Sequence, residues 1–192
     1  MSLEGQKMVD LNGIMLPDKI FFCGAPGSRW SGIAQELKNK PGYNTSDRAD
    51  HRVYKHNNYS GHYDAYFGTG MEFDCALTEE NLSAPFSIKE GCKVLLSHEW
   101  AYKLDEIKHK FPNDWIHLIY RSNWESFLWW KAAGGFKITY PNYDWYIDDE
   151  TMCERIEEQN KLILSFAQKY NLSWTQHSKH EDIFITTCLP YS

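Results

Sequence analysis

The chain has no basic surplus, no Cys-x-x-Cys pair and no apolar run long enough to span a bilayer. Each absence removes a class of function. The 20 Lys and Arg are outnumbered by 26 Asp and Glu, for a formal charge of −6. Binding to duplex nucleic acid needs clustered cations that displace counterions, so no nucleic-acid partner is expected. The five cysteines, at 23, 75, 92, 153 and 188, are odd in number and scattered. That pattern fits reduced thiols in a cytoplasm and not a disulfide framework. With no span and no signal peptide in the sequence, no membrane partner is expected either.

What the chain has in excess is aromatic surface: 16% of its residues, including 8 Trp and 12 Tyr. A Trp-rich core accounts for such a count, and a stacking surface for a base or sugar is the sharper alternative. At 192 residues the expectation is one domain over 1–192 with a sizeable core.

Short apolar runs predict strands at 19–23 (KIFFC), 92–98 (CKVLLSH), 114–121 (DWIHLIYR) and 183–187 (IFITT). Helical periodicity predicts helices at 29–39, 99–112, 123–136 and 151–170. Asn123 is the expected N-cap of the third of these helices, and Gly134-Gly135 its stop. Residues 43–90 and 136–150 are polar and aromatic without a clear period, and read as irregular loops with one short helix in the first. His51, His56 and His62 fall there, but their spacing matches no standard ligand pattern, and no metal is expected. Strands alternating with helices imply an α/β three-layer sandwich with a mostly parallel central sheet.

The stretch carrying chemistry is CGAPGSRWSGIA, residues 23–34. A glycine turn between a buried strand and a helix aims free backbone N–H groups at one spot, where the helix dipole adds positive character. Gly24 and Gly27 allow close backbone approach, and Ser28 and Ser31 offer hydroxyl donors. The turn opens like the phosphate loop of small nucleotide kinases. Arg29-Trp30 stands where those enzymes carry Gly-Lys, which disfavours ATP chemistry. His98 follows the second apolar strand and Arg121 ends the third. In open α/β sheets, ligands bind at the carboxyl ends of strands, so these groups are expected to share one crevice.

Three segments, in order, resemble the sulfotransferase family: CGAPGSRWSGIA, KVLLSH and FPNDWIHLIYRSNWESF, with support from the late helix ERIEEQNKLILSFAQKY. The resemblance implies a P-loop, nucleoside-kinase-like fold and 3′-phosphoadenosine 5′-phosphosulfate (PAPS) as co-substrate, without a metal. It implies that Gly24, Gly27, Ser28, Arg29, Trp30 and Ser31 surround the 5′-phosphosulfate. His98 would be the general base, Arg29 would steady the transferring group, and Arg121 with Ser126 would hold the 3′-phosphate. Two positions depart from the family pattern: Gly27 stands where a basic residue is usual, and Trp129 where a serine is usual. The acceptor implied is a small polar molecule or carbohydrate, meeting the loops at 43–90 and 136–150. The alternatives are a divergent P-loop nucleotide kinase and a non-catalytic nucleotide-binding or scaffold protein.

Overall fold

The computed structural model describes residues 13–38, 40–47, 77–137 and 144–190, and the backbone of the strand pair 53–54 and 66–67. In chain order its strands are β1 (Lys19–Gly24), β2 (Tyr43–Asn44), β3 (Val53–Tyr54), β4 (Tyr66–Phe67), β5 (Cys92–Leu96), β6 (Trp115–Arg121), β7 (Thr175–His177) and β8 (His180–Cys188). The α-helices are α1 (Trp30–Ala34), α2 (Glu79–Ser83), α3 (Leu104–Lys110), α4 (Asn123–Ala133) and α5 (Asp149–Lys169). Short 3₁₀ turns continue α1 at Gln35–Leu37 and precede α3 at His98–Lys103.

Six strands form one mixed sheet in the order β2-β5-β1-β6-β8-β7. The pairs β2–β5, β5–β1 and β1–β6 are parallel, whereas β6–β8 and β8–β7 are antiparallel. The expected strand at 183–187 is therefore longer than its apolar run and opposite in direction to β6, and β7 was not anticipated. β1 is buried at every position, as a central strand covered on both faces must be.

Alternation along the strands divides the core. Phe21, Cys23, Leu95, Ile116 and Leu118 face α3 and α5, joining Trp100, Leu104, Ile107, Ile163 and Phe166. Ile20, Phe22, Val94, Leu96 and Ile119 face the other side, where Trp30, Ile33 and Ala34 of α1 cover them. Trp30, Trp100 and Trp130 are all buried, so much of the tryptophan excess is core. Cys23, Cys92 and Cys188 are buried too.

Helix ends follow side-chain chemistry. The cap of α4 is Ser122 and not Asn123: its hydroxyl accepts from Glu125 N at 3.2 Å. Asp148 caps α5, accepting from Thr151 N at 2.8 Å. Helix α1 is much shorter than the expected 29–39, because the chain tightens into the 3₁₀ turn after Ala34. No helix among the described residues is long and apolar enough to cross a membrane.

Candidate functional site

The sheet order β5-β1-β6 brings three carboxyl ends side by side. The loop 25–29 leaves β1, His98 lies two residues beyond β5, and Arg121 is the last residue of β6. The expected crevice residues therefore meet at one rim. Two contacts tie them: Arg121 Nη1 donates to the Gly27 carbonyl at 3.3 Å, and the Trp30 and His98 rings lie 6.5 Å apart.

The loop closes as a turn, with Ser28 N donating to Ala25 O at 3.1 Å. Both Gly24 and Gly27 stand where a side chain would collide with its neighbours. A Cβ on Gly27 would lie 1.9 Å from the Ser126 carbonyl oxygen, and Gly27 has φ +76°. A Cβ on Gly24 would lie 2.6 Å from Ser28 Oγ and 2.7 Å from Trp30 Cβ. The α-helix behind the loop is 5 residues long and continues as the 3₁₀ turn to Leu37. The loop also holds Ser28 Oγ, fully buried, with no hydrogen-bond partner among the described residues. Ser31 is buried as well.

Arg29 adopts the left-handed conformation at φ 63°, unusual for a residue with a Cβ. That geometry costs about 1 kcal/mol. Its guanidinium lies 4.4 Å from the centroid of the Trp129 ring, a stacking contact of comparable size. The Arg121 guanidinium lies 5.6 Å from the same ring. Trp129 thus takes the place expected of a serine and faces both arginines. Ser126 is fully buried and donates to the Arg121 carbonyl at 3.3 Å, so it buttresses the strand end.

Arg121 is 8% exposed and engaged inside the protein. Its Nε donates to Asp182 Oδ2 at 2.6 Å, and Nη2 pairs with the same oxygen. Asp182 comes from β8, which lies alongside β6 with Arg121 opposite Ile183. Asn160 of α5 donates to the Arg121 carbonyl at 2.9 Å, fixing the strand end from the helix side.

His98 is 3% exposed. Its Nδ1 lies 3.0 Å from Glu99 Oε1 and within 3.2 Å of the Gln159 amide. The Trp145 ring meets it edge-on at 5.9 Å and is itself backed by the Arg155 guanidinium at 4.8 Å. Burial pushes the Glu99 carboxyl up, but the His98 bond and charge, Arg155 and the Gln159 amide outweigh it and hold the group below its usual range. Cys23 lies below, its thiol 3.8 Å from the His98 carbonyl. Burial drives that thiol far above its ordinary value, which excludes a thiolate nucleophile there.

No group of His, Cys, Asp and Glu among the described residues could hold a metal ion. His51, His56 and His62 lie outside the described residues, as does most of the 43–90 loop. No protein-family model, no curated protein and no solved structure matches the chain.

Sequence reasoning missed Glu99, Trp145, Gln159 and Asp182. Glu99 was legible as the neighbour of His98. The other three are separated from their partners by dozens of positions and carry no local signal.

Proposed function

We propose that the chain is a sulfotransferase-like enzyme with a P-loop, nucleoside-kinase-like fold, moving a sulfuryl group from PAPS to a hydroxyl or amine. One observation carries the reading: the loop at 25–29, the His98 imidazole and the Arg121 guanidinium converge on the carboxyl ends of adjacent parallel strands. The buried Ser28 hydroxyl supports it, as a donor suited to a phosphate or sulfuryl oxygen. Arg29 and Arg121 supply the cations for the two ends of the donor, without a metal.

In the reaction His98 takes the proton of the acceptor O–H or N–H. The acceptor oxygen or nitrogen forms a bond to sulfur, and the bond from sulfur to the bridging phosphate oxygen breaks. 3′-Phosphoadenosine 5′-phosphate leaves. Arg121 has to exchange Asp182 for the 3′-phosphate, and Trp145 has to swing from His98 for the acceptor to enter. The acceptor is a small polar molecule or carbohydrate. The free thiols at Cys23, Cys92, Cys153 and Cys188 support a cytoplasmic setting.

A second reading is a non-catalytic protein of the same shape. The Arg121–Asp182 pair favours it, because the arginine is already neutralised internally.

Calorimetric titration with 3′-phosphoadenosine 5′-phosphate separates the two. The first reading expects binding by the wild type and a loss of tenfold or more in Arg121→Ala, since a charge-assisted phosphate contact is worth about 1.5–3 kcal/mol. Asp182→Asn, which releases the guanidinium, should bind more tightly than wild type. No binding by either the wild type or Asp182→Asn, together with no stabilisation by ATP and magnesium, establishes the second reading. Stabilisation by ATP with magnesium alone would point to the kinase alternative.

A further inference from the structure

We infer that Glu99 and Gln159 are positioning residues that fix His98 as its Nδ1–H tautomer, so that Nε2 is the nitrogen that receives the acceptor's proton. The tautomer follows from contacts within this chain. The catalytic role of Nε2 rests on the sulfotransferase-like reading above.

The geometry begins with the carboxylate. Glu99 Oε1 stands 3.0 Å from His98 Nδ1, and the two side chains are 24% and 4% exposed. A carboxylate oxygen can only accept. If Nδ1 carried a lone pair, two lone pairs would face each other at hydrogen-bond distance in a site with little water. A proton on Nδ1 turns that repulsion into a charge-assisted bond, roughly twice as strong as a neutral one.

Two elements hold the carboxylate in place. Ser97, the cap of the 3₁₀ turn His98–Lys103, accepts from Glu99 N at 3.0 Å and fixes the backbone. Gln159 donates from Nε2 to Glu99 Oε1 at 3.1 Å, turning the carboxylate toward the ring. Gln159 projects from the middle of α5 and is fully buried. A buried amide is costly unless its hydrogen bonds are made; here Nε2 donates to Glu99 Oε1, and Oε1, at 3.2 Å, can accept from a proton on His98 Nδ1. An apolar residue at this point would pack the helix without that cost. The amide therefore has a role that packing does not explain.

Gln159 Nε2 also stands 3.0 Å from Nδ1, but it donates to Glu99 Oε1, and the carboxylate at the same distance from the ring, which can only accept, decides where the proton sits. From β1 the neighbour is the Cys23 thiol, which points at the His98 carbonyl. From α1 it is Trp30, and from the segment before α5 it is Trp145. The charged groups on this side are Glu99 and, acting on it electrostatically from α5, Arg155. Holding Nδ1 as the donor leaves the ring's lone pair on Nε2, the geometry a base needs if its orientation is set by a carboxylate behind it.

The test is heteronuclear NMR of the full chain with ¹⁵N-labelled histidine, recorded at mildly alkaline pH without nucleotide. Wild-type His98 is expected to show a protonated, pyrrole-type Nδ1 and a pyridine-type Nε2. Isolated histidine prefers the opposite tautomer. Glu99→Gln is therefore expected to lose the pure Nδ1–H signature and shift toward Nε2–H, while Glu99→Asp retains part of it. Gln159→Leu should shift it in the same direction by less. An Nε2–H signal in the wild type overturns the inference and needs no variant to fold. So does an unchanged tautomer in a folded Glu99→Gln. The spectrum does not depend on nucleotide, so a chain that fails to bind 3′-phosphoadenosine 5′-phosphate can still show the tautomer, and the reverse.

Discussion

Gly27→Ala tests how the loop is held. Gly27 has φ +76°, and an added Cβ would stand 1.9 Å from the Ser126 carbonyl oxygen and 3.1 Å from Trp130 Cβ. The left-handed backbone costs an alanine about 1 kcal/mol. The steric term is larger, because a carbon and a carbonyl oxygen require more than an ångström of additional separation. Either α4 or the loop must retreat, and overpacking of this kind costs about 1–3 kcal/mol. Retreat of the loop also stretches the bond from Arg121 to the Gly27 carbonyl, now 3.3 Å, worth about another 1 kcal/mol. The expected sum is about 3–5 kcal/mol. Gly13→Ala is the control: it has the same φ of +76° and nothing within 4 Å, so only the backbone strain of about 1 kcal/mol applies. Urea unfolding followed by tryptophan fluorescence and circular dichroism gives both values. Costs equal to within 1 kcal/mol would refute the packing account and return Gly27 to the role of a ligand-approach residue.

Two further outcomes follow from buried groups. Burial first, then the nearby His177, pulls His117 down from its ordinary value to about 4. Its neutral form therefore stabilises the fold fully above its unfolded value, and this contribution fades as pH falls toward 4. Between pH 7 and pH 5 the chain should lose about 1–2 kcal/mol, a slope that His117→Phe should reduce, and an identical slope in that variant would sink the assignment. His98, at 3% exposure beneath Trp145, should react slowly with diethyl pyrocarbonate and several-fold faster in Trp145→Ala, as read by mass spectrometry. Fast reaction in the wild type would mean that Trp145 does not cover the ring.

The strands that could be read in advance were those with continuous apolar runs. KIFFC and CKVLL are almost wholly buried, and WIHLIYR is buried at Ile116, Leu118, Ile119 and Arg121 and half-buried at the rest, and that leaves a composition signal. Helix α5 was legible from its apolar stripe, with Ile156, Ile163, Phe166 and Ala167 all buried. β7 was not, because Thr175, Gln176 and His177 at an outer strand have no apolar face to announce them. The direction of β8 is likewise absent from IFITT, since an apolar run looks the same in parallel and antiparallel pairing. At the site, the strand-end positions of His98 and Arg121 were legible from local pattern. The state of those groups was not. Asp182 and Gln159 reach them from 61 positions away, and no short window contains such a pairing. The glycines of the loop show a related limit: a required absence of Cβ is visible in sequence, but the atom that requires it is not.

The pairing of β8 against β6 has a consequence for synthesis of the chain. Until residues 180–188 have left the ribosome, β6 presents a bare ladder of amide and carbonyl groups, flanked by Ile116, Leu118 and Ile119. Such a ladder is a template for strand addition by any nearby extended chain. The nascent protein is therefore most exposed to self-association in the interval between completing α5 and adding its last hairpin. A chaperone that shields apolar strand edges would matter most during that window.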